Sequence, residues 1–246
     1  MKRVFVSLFI LFTITGFLFA ELTAEEIIKR MEINDVHNTS TSSGSMTIVD
    51  RFGTRVKTFI AISAGEDNML LEFTNIEEMG QKILRLEDEI YLYFPDAEEI
   101  IHLQGGALKD SVMGSDFSYE DLTGEGGILS SYKVELMEPA PVNVDGVQCY
   151  HLMLTGIKNV AYQKQELWVD AELFVPRKSH YFSLSGRLLK EMVIKEVRKV
   201  AGKNIPVHFE MSDKMKKNSK TIFKLQDIQI DVPLDSGTFS LENLSF

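Results

Sequence analysis

Two groups of carboxylates are the residues of this chain that come nearest to a chemical motif. Residues 87–89 read Glu-Asp-Glu, and Asp96 is followed closely by Glu98 and Glu99. Paired carboxylates can act as an acid and a base, or bind calcium through their oxygens. Both groups fall at predicted turns between strands, where charged side chains are simply solvated. We therefore expect neither group to hold a metal ion.

The other residue types that could carry chemistry show no useful spacing. The chain has no HExxH, GxSxG, CxxC or P-loop motif, and no GxGxxG motif after a strand. The glycine-rich stretch from Thr123 to Gly127 does not lead from a strand into a helix, so it predicts a turn and not a phosphate site. The sequence thus predicts a protein that is not an enzyme and needs no cofactor. The five histidines lie on different predicted elements without metal-ligand spacing: His37, His102, His151, His180 and His208.

Cys149 is the only cysteine of the chain, which excludes an internal disulfide. It lies within the apolar run VQCYHLML. This setting predicts a buried and unreactive thiol.

The overall charge is acidic. The chain carries 26 Lys and Arg residues against 36 Asp and Glu residues, a formal net charge of −10. Nucleic acids and anionic membranes attract proteins mainly through basic side chains. The composition therefore predicts against nucleic acid and against an anionic membrane surface as partners.

The first twenty residues have the pattern of a secretory signal peptide. Lys2 and Arg3 precede an apolar run from Val4 to Phe19, and polar sequence begins directly after Ala20. The run is shorter than the ~20 apolar residues of a membrane-spanning helix. We expect cleavage after Ala20, export to the periplasm and one domain over residues 21–246, with a retained anchor as the alternative.

Hydrophobic periodicity predicts a mainly β protein with some helix (α+β). Thr23 and Glu26 form a capping box, and apolar residues at helical spacing predict a helix from Thr23 to about Met31. After it come about thirteen short β-like runs separated by turn residues. Residues 105–127 interrupt them without a regular period. A meander of this length must curl, so we expect a strongly curved antiparallel sheet, an incomplete β-barrel with helices covering its concave face.

Alternation within the predicted strands identifies ten apolar side chains as candidate pocket lining. Residues two apart in a strand point to the same face. Such stripes are needed both by a filled core and by an apolar pocket, so the pattern leaves both interpretations open. The candidates are Met69, Leu71 and Phe73; Leu84 and Leu86; Leu92 and Phe94; and Tyr150, Leu152 and Leu154.

A decapeptide, MGSDFSYEDL from Met113 to Leu122, is the most specific segment of the chain. It is accompanied by KILRLEDEIYLYFP, LWVD, VPRKSHYF and SGRLLK, and the pattern continues through NIPVHFEMSD, KTIFKLQDIQID and FSLENL. Together these segments resemble the LolA-like outer-membrane lipoprotein-sorting proteins, over nearly the whole chain after residue 20.

The resemblance implies an incomplete antiparallel β-barrel in the periplasm, with an apolar pocket that binds acyl chains. Members are similar to carriers that move lipoproteins or lipids from the inner toward the outer membrane. The implied partners are a lipid or lipoprotein cargo, an inner-membrane transporter and an outer-membrane acceptor. We expect the protein to be a monomer.

The first half of the decapeptide, the family motif loop from Met113 to Phe117, also has a purely structural interpretation. Gly114 permits an unusual φ, Ser115 or Asp116 can cap a short helix, and Phe117 can anchor the loop to the core. The sequence leaves open whether the segment contacts cargo, a partner or only its own fold.

Three functions are compatible with a domain of this kind. The first is a carrier or chaperone for acyl chains, and the second is a periplasmic lipid-sensing or protein-interaction domain of an envelope regulatory system. The third is a hydrolase of envelope lipids, which lacks a nucleophile and base at a recognizable spacing. Burying an acyl chain needs no polar chemistry, so the absence of catalytic motifs favours the carrier.

Overall fold

The computed structural model describes residues 22–35, 38–122 and 127–245. The predicted signal peptide, His37 and residues 123–126 of the glycine-rich turn lie outside these ranges. Within them, no helix has the length and apolar character needed to cross a membrane.

One antiparallel sheet accounts for most of the described residues. Fourteen strands are found there, in the order β6-β5-β4-β3-β2-β1-β14-β13-β12-β11-β10-β9-β7, with β8 paired to β9. The strands are β1 Thr39–Asp50, β2 Gly53–Ala64, β3 Asn68–Phe73, β4 Lys82–Leu86, β5 Glu89–Phe94, β6 Glu99–Leu103, β7 Tyr132–Leu136, β8 Val142–Val144, β9 Val147–Gly156, β10 Lys164–Asp170, β11 Pro176–Phe182, β12 Leu188–Val200, β13 Lys203–Asp213 and β14 Lys220–Ile230.

Helical segments are short and stand near the start, the middle and the end of the described chain. The α-helices are α1 Ala24–Asp35, α2 Ile128–Ser131 and α3 Leu241–Leu244, and single 3-10 turns occur at Ile76–Glu78, Gly105–Lys109, Val112–Gly114 and Tyr119–Leu122. The predicted mainly β fold is confirmed.

The capping box at the start of α1 is formed as predicted. The Thr23 N–H donates to Glu26 Oε2 at 2.9 Å, and the Glu26 N–H donates to Thr23 Oγ1 at 3.2 Å. The helix extends four residues beyond the predicted end at Met31. Its last turn is fixed by Asn34, whose Nδ2 donates to the carbonyl of Phe174 and whose Oδ1 accepts from the Asn204 N–H.

The sheet is a hairpin meander that joins its first strand to its last. In β1, Thr47 lies opposite Val56 of β2 and also opposite Ile222 of β14. The two ends of the strand order, β6 and β7, are not neighbours, so the sheet is open. The prediction of a curved, open antiparallel sheet is confirmed, and the sheet is not a closed barrel.

This topology places the decapeptide across one face of the sheet. Because β6 and β7 form opposite edges, the chain between them must pass from one edge to the other. We call its described part, residues 104–122, the crossing segment. Its buried side chains Val112, Phe117 and Tyr119 pack against residues of central strands such as Phe59.

We call the covered side of the sheet the inner face. The crossing segment covers the part formed by β1 to β5 and by β13 and β14, around Met46, Phe73 and Met211. Helix α1 covers the part formed by β7, β9 and β10, where Ile28 packs near Leu152. Burial of these apolar side chains is the main contribution to the stability of the sheet.

The opposite, outer face carries a smaller apolar cluster. Leu244 of α3 is buried there against Leu84 and Tyr93. The predicted helical turn in FSLENL is confirmed, and Ser240 caps it by accepting a hydrogen bond from the Asn243 N–H at 3.2 Å.

Candidate functional site

A cavity of about 380 Å³, partly open to solvent, lies on the inner face between α1, the crossing segment and strands β10 to β13. Its size is within the range of small-molecule sites, which is ~300–1,000 Å³. It is lined by Glu32, Glu66, Phe117, Glu120, Asp121, Gly127, Ile128, Ala161, Tyr162, Gln165, Tyr181, Met192 and Met211.

The strand side of the cavity is apolar. Met192 of β12 and Met211 of β13 are directly opposite each other in the sheet, and Tyr181 of β11 lies one strand further. Phe117 of the crossing segment forms part of the same wall. Methionine side chains are flexible and polarizable, so this wall can adapt to an apolar guest of varying shape.

Asp121 organises the polar side of the cavity through four hydrogen bonds. Its Oδ2 accepts from Lys190 Nζ at 2.5 Å, from the Ser118 N–H at 2.7 Å and from Ser118 Oγ at 2.9 Å. Its Oδ1 accepts from the Tyr162 hydroxyl at 2.7 Å. The crossing segment is thereby joined to β12 and to the β9–β10 loop.

Tyr162 is a fixed hydrogen-bond donor in this arrangement. Burial raises the pKa of its phenol far above the usual value, and the adjacent Asp121 carboxylate raises it further. The side chain is buried, and its ring lies 4.8 Å from that of Tyr181 between centroids. A phenol held neutral and donating to a carboxylate is unsuited to proton transfer.

A second buried aspartate, Asp116, attaches the decapeptide to the β13–β14 hairpin. Its side chain accepts from Ser219 Oγ at 2.5 Å and from Thr221 Oγ1 at 3.2 Å, and its N–H donates to Thr221 Oγ1 at 2.8 Å. Lys216 Nζ is 3.8 Å from the carboxylate and donates to the Ser115 carbonyl at 2.8 Å. Asp116 therefore acts as an anchor of the segment and not as the predicted helix cap.

The rest of the family motif loop also serves its own fold. Met113 and Gly114 both have positive φ, 50° and 76°, the unusual backbone that the sequence predicted for the glycine. Ser115 Oγ accepts from the Phe117 N–H at 3.1 Å. Phe117 is buried with its ring 5.0 Å from that of Phe223, so its predicted anchoring of the loop is confirmed.

The ten candidate lining residues are distributed over three places, and none of them borders the cavity described above. Tyr150, Leu152 and Leu154 lie beneath α1. Leu71, Phe73, Leu92 and Phe94 belong to the core beneath the crossing segment, and alternation puts Met69 of β3 on that same inner face. The stripe that includes Leu92 is thus filled core.

Leu84 and Leu86 require a correction, because they lie on the outer face. They pack with Leu244 of α3, while their neighbour Ile83 supplies the inner face of β4. Both faces of β4 are covered, so its apolar residues do not alternate and the sequence could not tell the two faces apart. We leave both leucines out of the binding surface.

Met192, Met211, Tyr162 and Tyr181 border the cavity but were not among the candidates. In β12 the inner face includes Lys190, which pairs with Asp121. Because Lys190 and Met192 share this face and lysine is charged, alternation in β12 does not predict an apolar face. A partly buried lysine of this kind has no signature in a single sequence.

None of the described histidines lines the cavity, and neither does Cys149. No group of three or more potential metal ligands comes together among the described residues. His151 and His180 are on the outer face. There, His151 Nδ1 is 3.1 Å from Glu138 Oε2, and the His151 ring stacks on the ring of Trp168. Cys149 is buried as predicted, and burial raises the pKa of its thiol to about 11.

Sequence comparison assigns the chain to a family. A family model described as an uncharacterized protein matches residues 65–245. The chain belongs to that family. No curated protein matches it significantly by sequence.

Several solved structures share the fold of this chain. A DUF1329 family protein from Desulfovibrio piger superposes with a TM-score of 0.84 at 23% identity, covering 90% of this chain and 97% of that one. A LolA superfamily protein from Nitrosomonas europaea superposes with a TM-score of 0.75 at 23% identity, covering 90% of this chain and 99% of that one. A putative outer membrane lipoprotein-sorting protein domain from Vibrio parahaemolyticus superposes with a TM-score of 0.81 at 18% identity, covering 91% of this chain and 98% of that one. The resemblance to LolA-like proteins is thus confirmed as a shared fold.

Proposed function

We propose that this protein is a periplasmic carrier, or chaperone, for acyl chains. It would bind the acyl part of a lipid or lipoprotein in the inner-face cavity and move it from the inner toward the outer membrane. An inner-membrane transporter and an outer-membrane acceptor would be its partners. The fold it shares with a lipoprotein-sorting domain supports this assignment.

The observation that carries the proposal is the partly open cavity with an apolar wall of Phe117, Tyr181, Met192 and Met211. Each methylene transferred from water into such a site contributes about 0.8 kcal/mol. Association and ordering consume several kcal/mol of the total. A chain segment of about ten methylenes would still leave useful affinity without any polar chemistry.

The carboxylates at the cavity predict which head group is tolerated. Asp121 is balanced by Lys190, and Glu32 and Glu66 also border the cavity. A negative charge on the ligand close to these groups would be repelled. We therefore expect neutral acyl esters or amides to bind better than free fatty acids.

Binding of a neutral fluorescent acyl ester to the delipidated protein tests the proposal. Ala161 lies at the cavity in an exposed part of the β9–β10 loop. Ala161→Trp should fill the opening and weaken probe binding at least about tenfold while leaving stability nearly unchanged. Ala97→Trp, at an exposed turn between β5 and β6 away from the cavity, is the matched control.

Two results would count against the carrier. One is the absence of saturable probe binding by the wild-type protein, and the other is equal binding by both tryptophan variants. Transfer of bound probe to acceptor vesicles separates a carrier from a lipid-sensing domain, which would bind the probe and retain it.

A further inference from the structure

Four neighbouring hairpin loops at one end of the sheet combine exposed apolar residues with basic residues. They connect β1 to β2, β9 to β10, β11 to β12, and β13 to β14. The pairings of Lys190 with Asp213 and of Val49 with Lys220 bring these loops to the same end. We call them the tip patch: residues 51–52, 157–163, 183–187 and 214–219.

The charge of the tip patch is opposite to that of the whole chain. It contains no Asp or Glu, and its basic residues are Arg51, Lys158, Arg187, Lys214, Lys216 and Lys217. The turns at the other end, residues 65–67, 87–88, 145–146, 171–175 and 201–202, contain no Lys or Arg but six acidic residues, Glu66, Asp67, Glu87, Asp88, Asp145 and Glu172. A chain with net charge −10 thus has a basic patch at one end of its sheet.

Nearby acidic side chains offset only part of this charge. Lys214 Nζ donates to Glu191 Oε1 at 2.7 Å, and Lys216 Nζ is 3.8 Å from Asp116 and from Asp213. Arg51, Arg187 and Lys217 are exposed. The remaining loops at this end, residues 74–81 and 95–98, are acidic and mark the limit of the patch.

Each loop of the patch also exposes one large apolar side chain. The exposed fractions are 78% for Phe52, 63% for Ile157, 88% for Leu184 and 49% for Met215. Arg51 lies over the Phe52 ring, 4.6 Å from its centroid. Single exposed apolar residues are ordinary, but four at the tips of adjacent hairpins form a contact edge. Eight strands at ~4.8 Å spacing make this edge about 34 Å long.

We propose that the tip patch docks the protein onto an anionic lipid bilayer. Basic side chains are attracted to anionic head groups, and the apolar tips between them can enter the interface. A nucleic acid or an acidic protein surface would match the charges but would leave Phe52 and Leu184 without a role. The net charge of the whole chain predicts against an anionic membrane, and this proposal rests instead on the local charge of the tip patch. This surface goes beyond the carrier proposal and does not depend on it.

Cosedimentation with vesicles of phosphatidylglycerol, and with vesicles of phosphatidylcholine, tests the proposal. Wild-type protein should bind the first and not the second, and added salt should weaken binding. Arg187→Glu combined with Lys217→Glu should reduce the affinity at least about tenfold. Leu184→Ser and Phe52→Ser should each reduce it about threefold or more.

Matched controls are available on other parts of the surface. Lys199→Glu, near the opposite end of the sheet, and Ile33→Ser, on α1, change exposed residues of the same types. Both should bind vesicles like the wild type. Because every variant has the same N-terminus, differences in vesicle binding between variants report on the substituted loops alone.

The proposal is overturned if the protein does not bind phosphatidylglycerol vesicles, or if the controls weaken binding as much as the loop variants. It is also overturned if only the charge variants weaken binding and the protein binds heparin equally well, because the partner is then a soluble polyanion. Acyl-probe binding in solution should be unchanged in the loop variants. A failure of probe binding alone therefore contradicts the carrier and not the docking surface.

Discussion

Two aspartates attach the decapeptide to the sheet, Asp116 in a buried position and Asp121 in a partly buried one. Asp116 is held by Ser219 and Thr221, and Asp121 is held by Lys190 and Tyr162. A buried carboxylate is stable only when its oxygens are paired and hydrogen-bonded. The two aspartates of the decapeptide are thus explained by its path across an apolar face.

The Asp121–Lys190 pair should show strong coupling. Asp121→Asn or Lys190→Met alone leaves the other charge without this partner in a partly buried position, and each should lower the free energy of unfolding by about 1–3 kcal/mol. The double variant should lose clearly less than the sum of the two. Urea unfolding of the four proteins measures this, and simple additivity would contradict the coupling.

The Asp116 anchor gives a separate prediction. Thr221→Val keeps the shape of the side chain but removes the hydroxyl that bonds both the carboxylate and the N–H of Asp116. The free energy of unfolding should fall by about 1–3 kcal/mol, because a buried polar group loses its partner. Thr54→Val, at an exposed position of β2, is the control and should be nearly neutral. Equal effects would contradict the anchoring role.

Glu191 on the outer face predicts how stability depends on pH. Burial alone would raise its pKa, but hydrogen bonds from Lys214 and His180 and the charges of Lys214 and Lys178 outweigh burial and lower the pKa to about 2. The folded state therefore gains stability from ionised Glu191 above its usual pKa of 4.5, and loses it as the pH falls toward 2.

Glu191→Gln should accordingly destabilise the protein at neutral pH, by on the order of 2 kcal/mol, and flatten the loss of stability below pH 4.5. Unfolding measured across the acid range checks this. Glu196→Gln, exposed on the same strand, should leave the pH profile unchanged. A wild-type acid profile in Glu191→Gln would contradict the assignment.

At the scale of elements, the topology explains why the inner face has two different parts. The crossing segment fills one part with Val112, Phe117 and Tyr119. Helix α1 covers the other, and the cavity lies where the two coverings meet. A guest can therefore enter between two covering elements without displacing the core of the sheet.

Paired substitutions distinguish the filled core from the cavity wall. Leu92→Ala should lower the free energy of unfolding by ~2–5 kcal/mol, because Leu92 is buried in the core, and should leave acyl-probe binding unchanged. Met192→Ala should cost less stability, because Met192 is only partly buried, and should change the probe affinity. The opposite pattern, with binding lost in Leu92→Ala and retained in Met192→Ala, would contradict the location of the site.

Local patterns predicted much of this architecture. The capping box of α1, the positive φ at Gly114 and the burial of Phe117 and Cys149 follow from residue type and immediate neighbours. Local patterns did not predict which side chains of β4 point to each face, nor the pairing of Lys190 with Asp121. Both depend on which distant segment covers each side of the sheet. The cavity is bordered by segments that lie far apart in the sequence, so strand alternation alone could not locate it.

At the scale of the whole molecule, charge and apolar surface are distributed unevenly. The four loops of the tip patch, at one end of the sheet, are basic and carry apolar tips, and the turns at the other end are acidic. The β9–β10 loop contributes both to the tip patch and, through Ala161 and Tyr162, to the cavity. A protein docked by this end would hold its cavity close to the lipid surface.

The central claim is that the inner-face cavity holds an acyl chain. Native mass spectrometry of the protein purified from the cells that make it, with lipid identification after extraction, tests it most directly. We predict the mass of residues 21–246 plus one acylated molecule, with the added mass lost in Ala161→Trp and retained in Ala97→Trp. Protein that carries no acylated molecule, or an Ala161→Trp variant that carries as much as the wild type, would contradict the account.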